Sequence, residues 1–339
     1  MASDPTVQDP TLGHGPIGPE TDIATICVHG GYPHEGDGTT ARAAPLHRTT
    51  SYQFKSVEHA ADLFALSELG NIYTRLGNPT TDILEKRLAL MHGGPEMGGL
   101  AMASGTVAIF QAITNVAEAG DNIVSANNLY GGTMTMFEHI LPKMGITCTF
   151  VDPKDPSSFL SVRPPAAAPS LPPLALPLTR KRRQGVDENT RAFFCETCAN
   201  PSLDISDLET IADLAHDNGL PLIVDDTFTT AYLQRPFDHG VDVVCTSLTK
   251  WTGGHGTAIG GAIIDGGSFD WSVSSPFPRV RKAQARAKPD GGRLPQGGRQ
   301  APAVRRGGRL VPRAALGPRP AGDAQAHRIH PAAAHGAKF

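Results

Sequence analysis

A lysine and an aspartate follow two apolar segments that have the composition of buried strands. Asp225 comes directly after Leu-Ile-Val, and Lys250 lies five residues after Val-Val-Cys. In open α/β sheets, ligands bind beyond the carboxyl ends of the strands. A lysine can form a Schiff base with an aldehyde, and a carboxylate can keep a pyridine nitrogen protonated. Pyridoxal 5′-phosphate requires both groups, so Lys250 and Asp225 are the candidate cofactor-binding pair.

A phosphate group would find ligands in two other parts of the sequence. The candidates are Ser247, Thr249, Ser104, Gly105 and Thr106. The first two lie just before the lysine. The other three lie at the start of a helical pattern, where unpaired N–H groups and the helix dipole stabilise a phosphate dianion. An arbitrary aspartate and lysine would more often be a turn residue and a solvated amine. The phosphate ligands favour the cofactor interpretation.

The elements that must position these residues alternate between short apolar runs and amphipathic helices. Strands are predicted at 122–126, 147–151, 191–196, 221–224 and 242–245. Ser206 and Glu209 form a capping box that predicts a helix start, and Gly219 suits the end of that helix. A second helix is predicted from Ser104 to Gly120. This alternation is typical of an α/β fold with a mostly parallel sheet and helices on both faces.

Composition divides the 339 residues into unequal parts. The net charge is −3, but positions 279–339 contain 14 Lys/Arg against two acids. This Arg/Gly/Pro/Ala tail has few large apolar residues, so we expect it to be disordered. Positions 162–184 are about one quarter proline and interrupt the regular pattern. We therefore predict an N-terminal arm at 1–65 that contributes to an oligomer, a cofactor-binding domain at 66–278 with that insert, and the tail.

Several functional classes are not expected from the sequence. No apolar run approaches the roughly 18 residues that span a bilayer, and no secretion signal is recognisable, so we expect a cytoplasmic protein without a membrane partner. Cys195 and Cys198 form a C-x-x-C pair that follows a strand pattern, and we interpret all five cysteines as free thiols, with no metal site. The basic tail has almost no aromatic residues to stack on bases, so no nucleic-acid partner is expected.

Separated blocks of the sequence resemble the Cys/Met-metabolism (transsulfuration) family of pyridoxal-phosphate enzymes. The lysine block reads Ser-Leu-Thr-Lys-Trp-Thr-Gly-Gly-His-Gly, and further blocks match in order at 49–52, 70–80, 130–133 and 196–201. The match covers about 22–265 apart from the insert and is most similar to O-acetylhomoserine sulfhydrylases. It implies the fold type I of pyridoxal-phosphate transferases, which resembles aspartate aminotransferase. The family's C-terminal small domain is not recognisable after about Trp271.

The resemblance also implies a role for each matching residue. Lys250 would carry the cofactor and act as a catalytic residue together with Tyr130, which would stack on the ring, while Asp225 would pair with the pyridinium and Asn200 with the ring hydroxyl. The phosphate ligands would be Ser104, Gly105, Thr106, Ser247 and Thr249. Tyr73 and Arg75 would reach the phosphate of a neighbouring subunit, since a guanidinium binds phosphate bidentately. An interface site of this kind implies a homo-oligomer, expected to be a homotetramer built as a dimer of dimers.

The resemblance leaves several reactions open. The first is a transferase of methionine biosynthesis that replaces the acetate of O-acetylhomoserine with sulfide or a thiol, giving homocysteine or methionine. The alternatives are methionine γ-lyase, cystathionine γ-synthase or lyase, and a catalytically incomplete product. The block from Trp251 to His255 favours the sulfhydrylase.

The two irregular segments have a common hypothetical origin. Removal of 162–184 restores family-like sequence, and its first and last codons are compatible with the GT and AG limits of an unspliced intron. The tail at 279–339 would then be a GC-rich coding region that is read out of frame.

Overall fold

The computed structural model describes residues 17–32, 41–160, 186–271, 304–306 and 309–311. Its helices are α1 (Ile23–His29), α2 (Val57–Phe64), α3 (Pro79–His92), α4 (Gly105–Val116), α5 (Gly131–Thr135), α6 (Leu208–Asp217) and α7 (Thr230–Leu233). Its strands are β1 (Gly99–Met102), β2 (Asn122–Ala126), β3 (Thr147–Val151), β4 (Thr190–Glu196), β5 (Leu222–Asp225), β6 (Val243–Thr246), β7 (Gly261–Asp265), β8 (Val304–Arg306) and β9 (Arg309–Val311). Short 3₁₀ or π turns connect several of these elements.

Seven strands form one mixed sheet in the order β1-β7-β6-β5-β4-β2-β3. The five strands from β6 to β3 in that order pair in parallel, whereas β7 is antiparallel to both β6 and β1. Every residue of β2 and β6 is buried, although successive side chains point to opposite faces. Both faces of the sheet are therefore covered, as expected for parallel strands linked by helices. The predicted α/β class with a mostly parallel sheet is confirmed.

The apolar runs locate the parallel strands closely. The predictions for β2 and β3 match the observed bounds, and those for β4, β5 and β6 are displaced by one residue at one or both ends. The antiparallel strands β1 and β7 were not predicted. Gly261 begins β7. This strand was missed because the glycine-rich sequence before it carries no strand pattern.

The two predicted helices form, with corrections at their ends. Ser104 caps α4, and its side chain accepts a hydrogen bond from the N–H of Val107. That helix ends at Val116 rather than near Gly120, because the next residue adopts an extended conformation. The capping box at Ser206 is wrong by one residue. Asp207 caps α6 instead, since the Ser206 hydroxyl donates to the carbonyl oxygen of Glu196.

The core lies between the sheet and its helices and includes the aromatic side chains of β4. Phe193 and Phe194 are fully buried, and their rings contact Phe159 and Phe137 at centroid distances of 5.1 and 5.0 Å. Loss of such a ring costs about 3–5 kcal/mol. This packing fixes the strand whose end carries Glu196.

The chain divides into the units Met1–Pro289 and Asp290–Phe339. In the second unit, β8 and β9 pair as a two-stranded antiparallel sheet. The predictions for 162–184 and for most of 279–339 fall on residues outside those that are described. The proposed domain limits therefore stay predictions.

Candidate active site

Three parallel strands bring acidic residues and the lysine turn to one edge of the sheet. The register of β4 on β5 pairs Glu196 with Asp225, and that of β5 on β6 pairs Asp225 with Cys245. The turn that contains Lys250 follows β6 directly. The sequence prediction that Asp225 and Lys250 follow neighbouring strands is therefore matched by the strand order.

Asp225 is the last residue of β5, and its carboxyl group is held by the loop that follows. Burial raises the pKa of Asp225 to about 6, although two hydrogen bonds from Thr227 oppose that rise. The Thr227 N–H and hydroxyl both donate to Oδ1, at 2.9 and 2.5 Å. Oδ2 is left for another donor, such as a protonated ring nitrogen. A cation at that position would favour the charged carboxylate that burial disfavours.

Lys250 lies on an exposed turn held by backbone hydrogen bonds. The N–H of Gly253 donates to the carbonyl oxygen of Leu248 at 2.9 Å, and the N–H of Gly254 donates to that of Lys250 at 2.8 Å. Gly254 has a φ of +70°, a backbone conformation that is strained for residues with a Cβ atom. The glycines after the lysine thus form a tight connection, and the lysine is accessible to a small molecule.

The N-terminus of α4 packs directly against the lysine turn. A Cβ atom on Gly105 would lie 2.6 Å from Cβ of Ser247, and one on Gly261 would lie 2.2 Å from the carbonyl oxygen of Ser104. The first N–H groups of a helix have no partner within the helix. Those of Gly105 and Thr106 are therefore placed beside Ser247, an arrangement that fits a phosphate.

Two threonine hydroxyls brace the loops of this site. Thr227 Oγ1 accepts a hydrogen bond from the N–H of Ser247 at 2.8 Å while it donates to Asp225. Thr249 Oγ1 donates to the carbonyl oxygen of Gly260 at 3.2 Å and accepts from its N–H at 3.1 Å. In this arrangement the Thr249 proton is engaged within the chain. Its predicted contact with phosphate stays a prediction.

Tyr130 and Asn200 are brought together by a residue that the sequence reasoning did not nominate. The N–H of Tyr130 donates to Glu196 Oε1 at 2.6 Å, and the N–H of Asn200 donates to Oε2 at 3.1 Å. The Tyr130 side chain is 47% exposed, so its ring is accessible. A charged residue directly after the apolar run Ala-Phe-Phe-Cys was the available signal for Glu196.

A buried ion pair lies next to Asp225. His92 Nε2 is 2.7 Å from Asp226 Oδ2, and both side chains are almost completely buried. Burial alone would lower the pKa of His92, but the pKa is raised because Asp226 and the Leu88 carbonyl favour the charged ring. This pair connects the end of α3 to the loop after β5. Nothing local in the sequence pairs two residues so far apart.

Tyr73 and Arg75 belong to a segment that pairs with another N-terminal segment of the chain. The Arg75 guanidinium is 5.6 Å from the centre of the Tyr73 ring. Their segment pairs with 49–51, since the N–H of Thr74 donates to Thr50 at 2.9 Å and Ser51 forms a bridge with Tyr73. Their predicted role toward another subunit is not tested within one chain.

The described residues contain no group of three or more His, Cys, Asp or Glu side chains that could hold a metal ion. Burial raises the pKa of Cys195 to about 12, which makes its thiol unreactive. No helix in the described part of the chain has the length and apolarity needed to cross a membrane.

Comparison with known proteins supports pyridoxal phosphate as the cofactor. A family model for Cys/Met metabolism PLP-dependent enzymes matches residues 24–166 and 178–287. The break lies within the proline-rich insert, and the match extends past the expected end at 265. An O-acetyl-L-homoserine sulfhydrylase from Leptospira meyeri is 48% identical over 73% of this chain and 50% of its own length.

Solved structures share the fold. A putative O-acetylhomoserine (thiol)-lyase from Campylobacter jejuni, solved with a pyridoxyl-lysine phosphate, has 37% identity and a TM-score of 0.64, covering 74% of this chain and 55% of its own. A cystathionine γ-lyase from Lactobacillus plantarum has 30% identity and a TM-score of 0.59, covering 72% and 55%. The chain thus spans about half the length of these relatives. The predictions of family, fold type and pyridoxal phosphate as cofactor are confirmed: the chain belongs to the Cys/Met-metabolism family of PLP-dependent enzymes.

Proposed function

We propose that this chain carries the cofactor-binding half of a transferase that replaces the acetate of O-acetylhomoserine with sulfide or a thiol. The observation that carries this proposal is the placement of Lys250, Asp225 and the N-terminus of α4 at one edge of the sheet. The 48% identity to a sulfhydrylase favours this reaction among those of the family. The product is homocysteine with sulfide, or methionine with methanethiol.

Each residue of the site has a distinct task in this proposal. Pyridoxal phosphate, when bound, supplies an electron sink that makes hydrogens near the substrate's α-carbon acidic. Lys250 holds the cofactor and then moves protons at the α- and β-carbons of the substrate. Asp225 keeps the ring nitrogen protonated, and Tyr130 covers one face of the ring. Acetate leaves from the γ-carbon, and the sulfur nucleophile takes its place.

The phosphate would be held from two sides. The N–H groups of Gly105 and Thr106 donate from α4, and the Ser247 hydroxyl donates from the opposite loop. Ser104 keeps the first turn of α4 in place through its cap. Thr249 contributes by fixing the backbone of Gly260, and its hydroxyl would turn toward phosphate only if it released that bond.

The predicted contacts between subunits are part of the same proposal. We infer a homo-oligomer, built as a dimer of dimers, in which Tyr73 and Arg75 reach a neighbouring subunit's phosphate. Large apolar side chains are more than half exposed in the same part of the chain, between positions 46 and 76, as expected for a surface that another chain covers; they include Leu46, Val57, Leu66, Leu69 and Leu76. Cytoplasmic location and small amino-acid substrates complete the proposal. Sedimentation of the full chain tests the oligomer.

A reaction screen separates the candidate functions. The purified full-length chain is incubated with pyridoxal phosphate and O-acetylhomoserine plus sulfide, with methionine alone, or with cystathionine. Homocysteine from the first mixture alone supports the sulfhydrylase. Products from methionine or cystathionine identify a lyase. The lyase is the alternative function because the fold is similar to that of a cystathionine γ-lyase. Cofactor uptake without turnover identifies a catalytically incomplete chain.

A further inference from the structure

Glu196 is a buried acid to which the proposed chemistry gives no task. It ends β4, and its side chain is 5% exposed. Its two carboxylate oxygens accept hydrogen bonds from different parts of the chain, Oε1 from the N–H of Tyr130 and Oε2 from the N–H of Asn200. Tyr130 immediately precedes α5, and Asn200 lies in the loop after β4. One side chain therefore fixes the backbone of two segments that are 70 residues apart in the sequence.

The surroundings of Glu196 make this arrangement costly for the cofactor-free fold. Its Cα is paired with that of Asp225 on the neighbouring strand. Burial raises the pKa of Glu196 to about 8, and the negative charge of Asp225 adds to the rise. A buried acid next to another acid destabilises a fold unless it is compensated. Stability alone does not account for a carboxylate here, whereas a requirement to orient the two segments does.

We propose that Glu196 is a positioning residue for the cofactor ring, which it serves by holding the backbone of Tyr130 and Asn200 in place beside Asp225. This rests on the proposed function, because the roles of Tyr130 and Asn200 at the ring are part of it. Glu196 itself does not contact the ring in this proposal. It acts through the two backbone N–H groups that it accepts.

Hydrogen exchange in the cofactor-free chain tests the first half of the proposal. Glu196→Gln has only one accepting oxygen, so it cannot accept both N–H groups. Above about pH 8, where Glu196 is a charged carboxylate, we expect amide exchange at Tyr130 or Asn200 to accelerate about tenfold, as for loss of a charge-assisted hydrogen bond. Glu188→Gln, the same change at an exposed acid that precedes β4, is the control and leaves both amides unchanged. Unchanged exchange in folded Glu196→Gln would overturn the proposal.

Cofactor affinity tests whether the position of Tyr130 is what matters. Titration with pyridoxal phosphate, followed by absorbance, should show about tenfold weaker binding for Glu196→Gln than for the unmodified chain. In a Tyr130→Ala background the same substitution should weaken binding less, because the ring that it positions is gone. An equal loss in both backgrounds would overturn the proposed route through Tyr130.

Two further outcomes remain decisive. If Glu196→Gln does not fold, Glu196→Asp takes its place, because it retains the carboxylate but shortens the side chain by one methylene. Glu196→Asp should show faster amide exchange at Tyr130 or Asn200 and weaker cofactor binding. Normal values for both would overturn the proposal. If the unmodified chain takes up no pyridoxal phosphate, the proposed function fails. The exchange measurement still decides, independently, whether Glu196 holds these segments.

Discussion

Asp225→Asn is predicted to stabilise the cofactor-free fold while it weakens cofactor binding. Burial raises the pKa of Asp225 from its ordinary 3.8 to about 6, so folding disfavours the charged carboxylate. Asparagine is uncharged, and its side-chain oxygen can still accept the two hydrogen bonds that Thr227 donates to Oδ1. The substitution therefore removes a buried charge and can retain the local hydrogen bonds.

The magnitude and its pH dependence follow from the pKa of Asp225. At about 1.4 kcal/mol per pKa unit, the rise to about 6 corresponds to about 3 kcal/mol, and the partial exposure of the side chain reduces this to about 1–3 kcal/mol. Because the folded pKa is raised, the stability contributed by protonated Asp225 is complete below about pH 4 and is lost as the pH rises through about 6. The variant should thus match the unmodified chain near pH 4 and exceed it by about 1–3 kcal/mol at pH 8.

Urea unfolding of the cofactor-free chain between pH 4 and pH 8 measures this difference. Asp217→Asn, at the exposed end of α6, is the control and should change stability by less than about 0.5 kcal/mol at either pH. With saturating pyridoxal phosphate the order should reverse, because only the carboxylate pairs with a ring cation. A difference between Asp225→Asn and the unmodified chain that is independent of pH, or that is unfavourable at pH 8, would refute the reasoning.

Three further predictions concern other parts of the site. Borohydride should fix pyridoxal phosphate to Lys250, and Lys250→Ala should abolish the label in peptide mass spectrometry; labelling at another lysine would contradict the assignment. His92→Ala should destabilise the fold by about 3–5 kcal/mol in urea unfolding, because the buried Asp226 is left unpaired. Adding Asp226→Asn to His92→Ala should recover part of that stability, because the unpaired charge is removed. Gly105→Ala should weaken cofactor binding in absorbance titration about tenfold, since its Cβ would press against Ser247. Normal affinity would show that the close approach is unimportant.

The sequence alone was enough to predict the parallel part of the sheet and to nominate the central pair of the candidate site. β2 is buried along its whole length, as expected for an apolar run inside a parallel sheet, and it was predicted with its observed bounds. The bounds of β3, at the edge of the sheet, were also predicted correctly, because its Thr and Val residues favour a strand. Asp225 and Lys250 could be nominated because parallel strands present their carboxyl ends at the same edge. The matching sequence blocks then specified the family.

Tertiary structure decided the contacts between segments that are distant in the sequence. Glu196 bridges Tyr130 and Asn200 only because β4 lies between β2 and β5 in the sheet. Strand order and register are set by packing over the whole molecule, whereas sequence periodicity reports only which residues of one element are buried. For the same reason, the sequence located Asp225 and Lys250 beyond buried strands, but only the folded chain placed Thr227 and Glu196 around them.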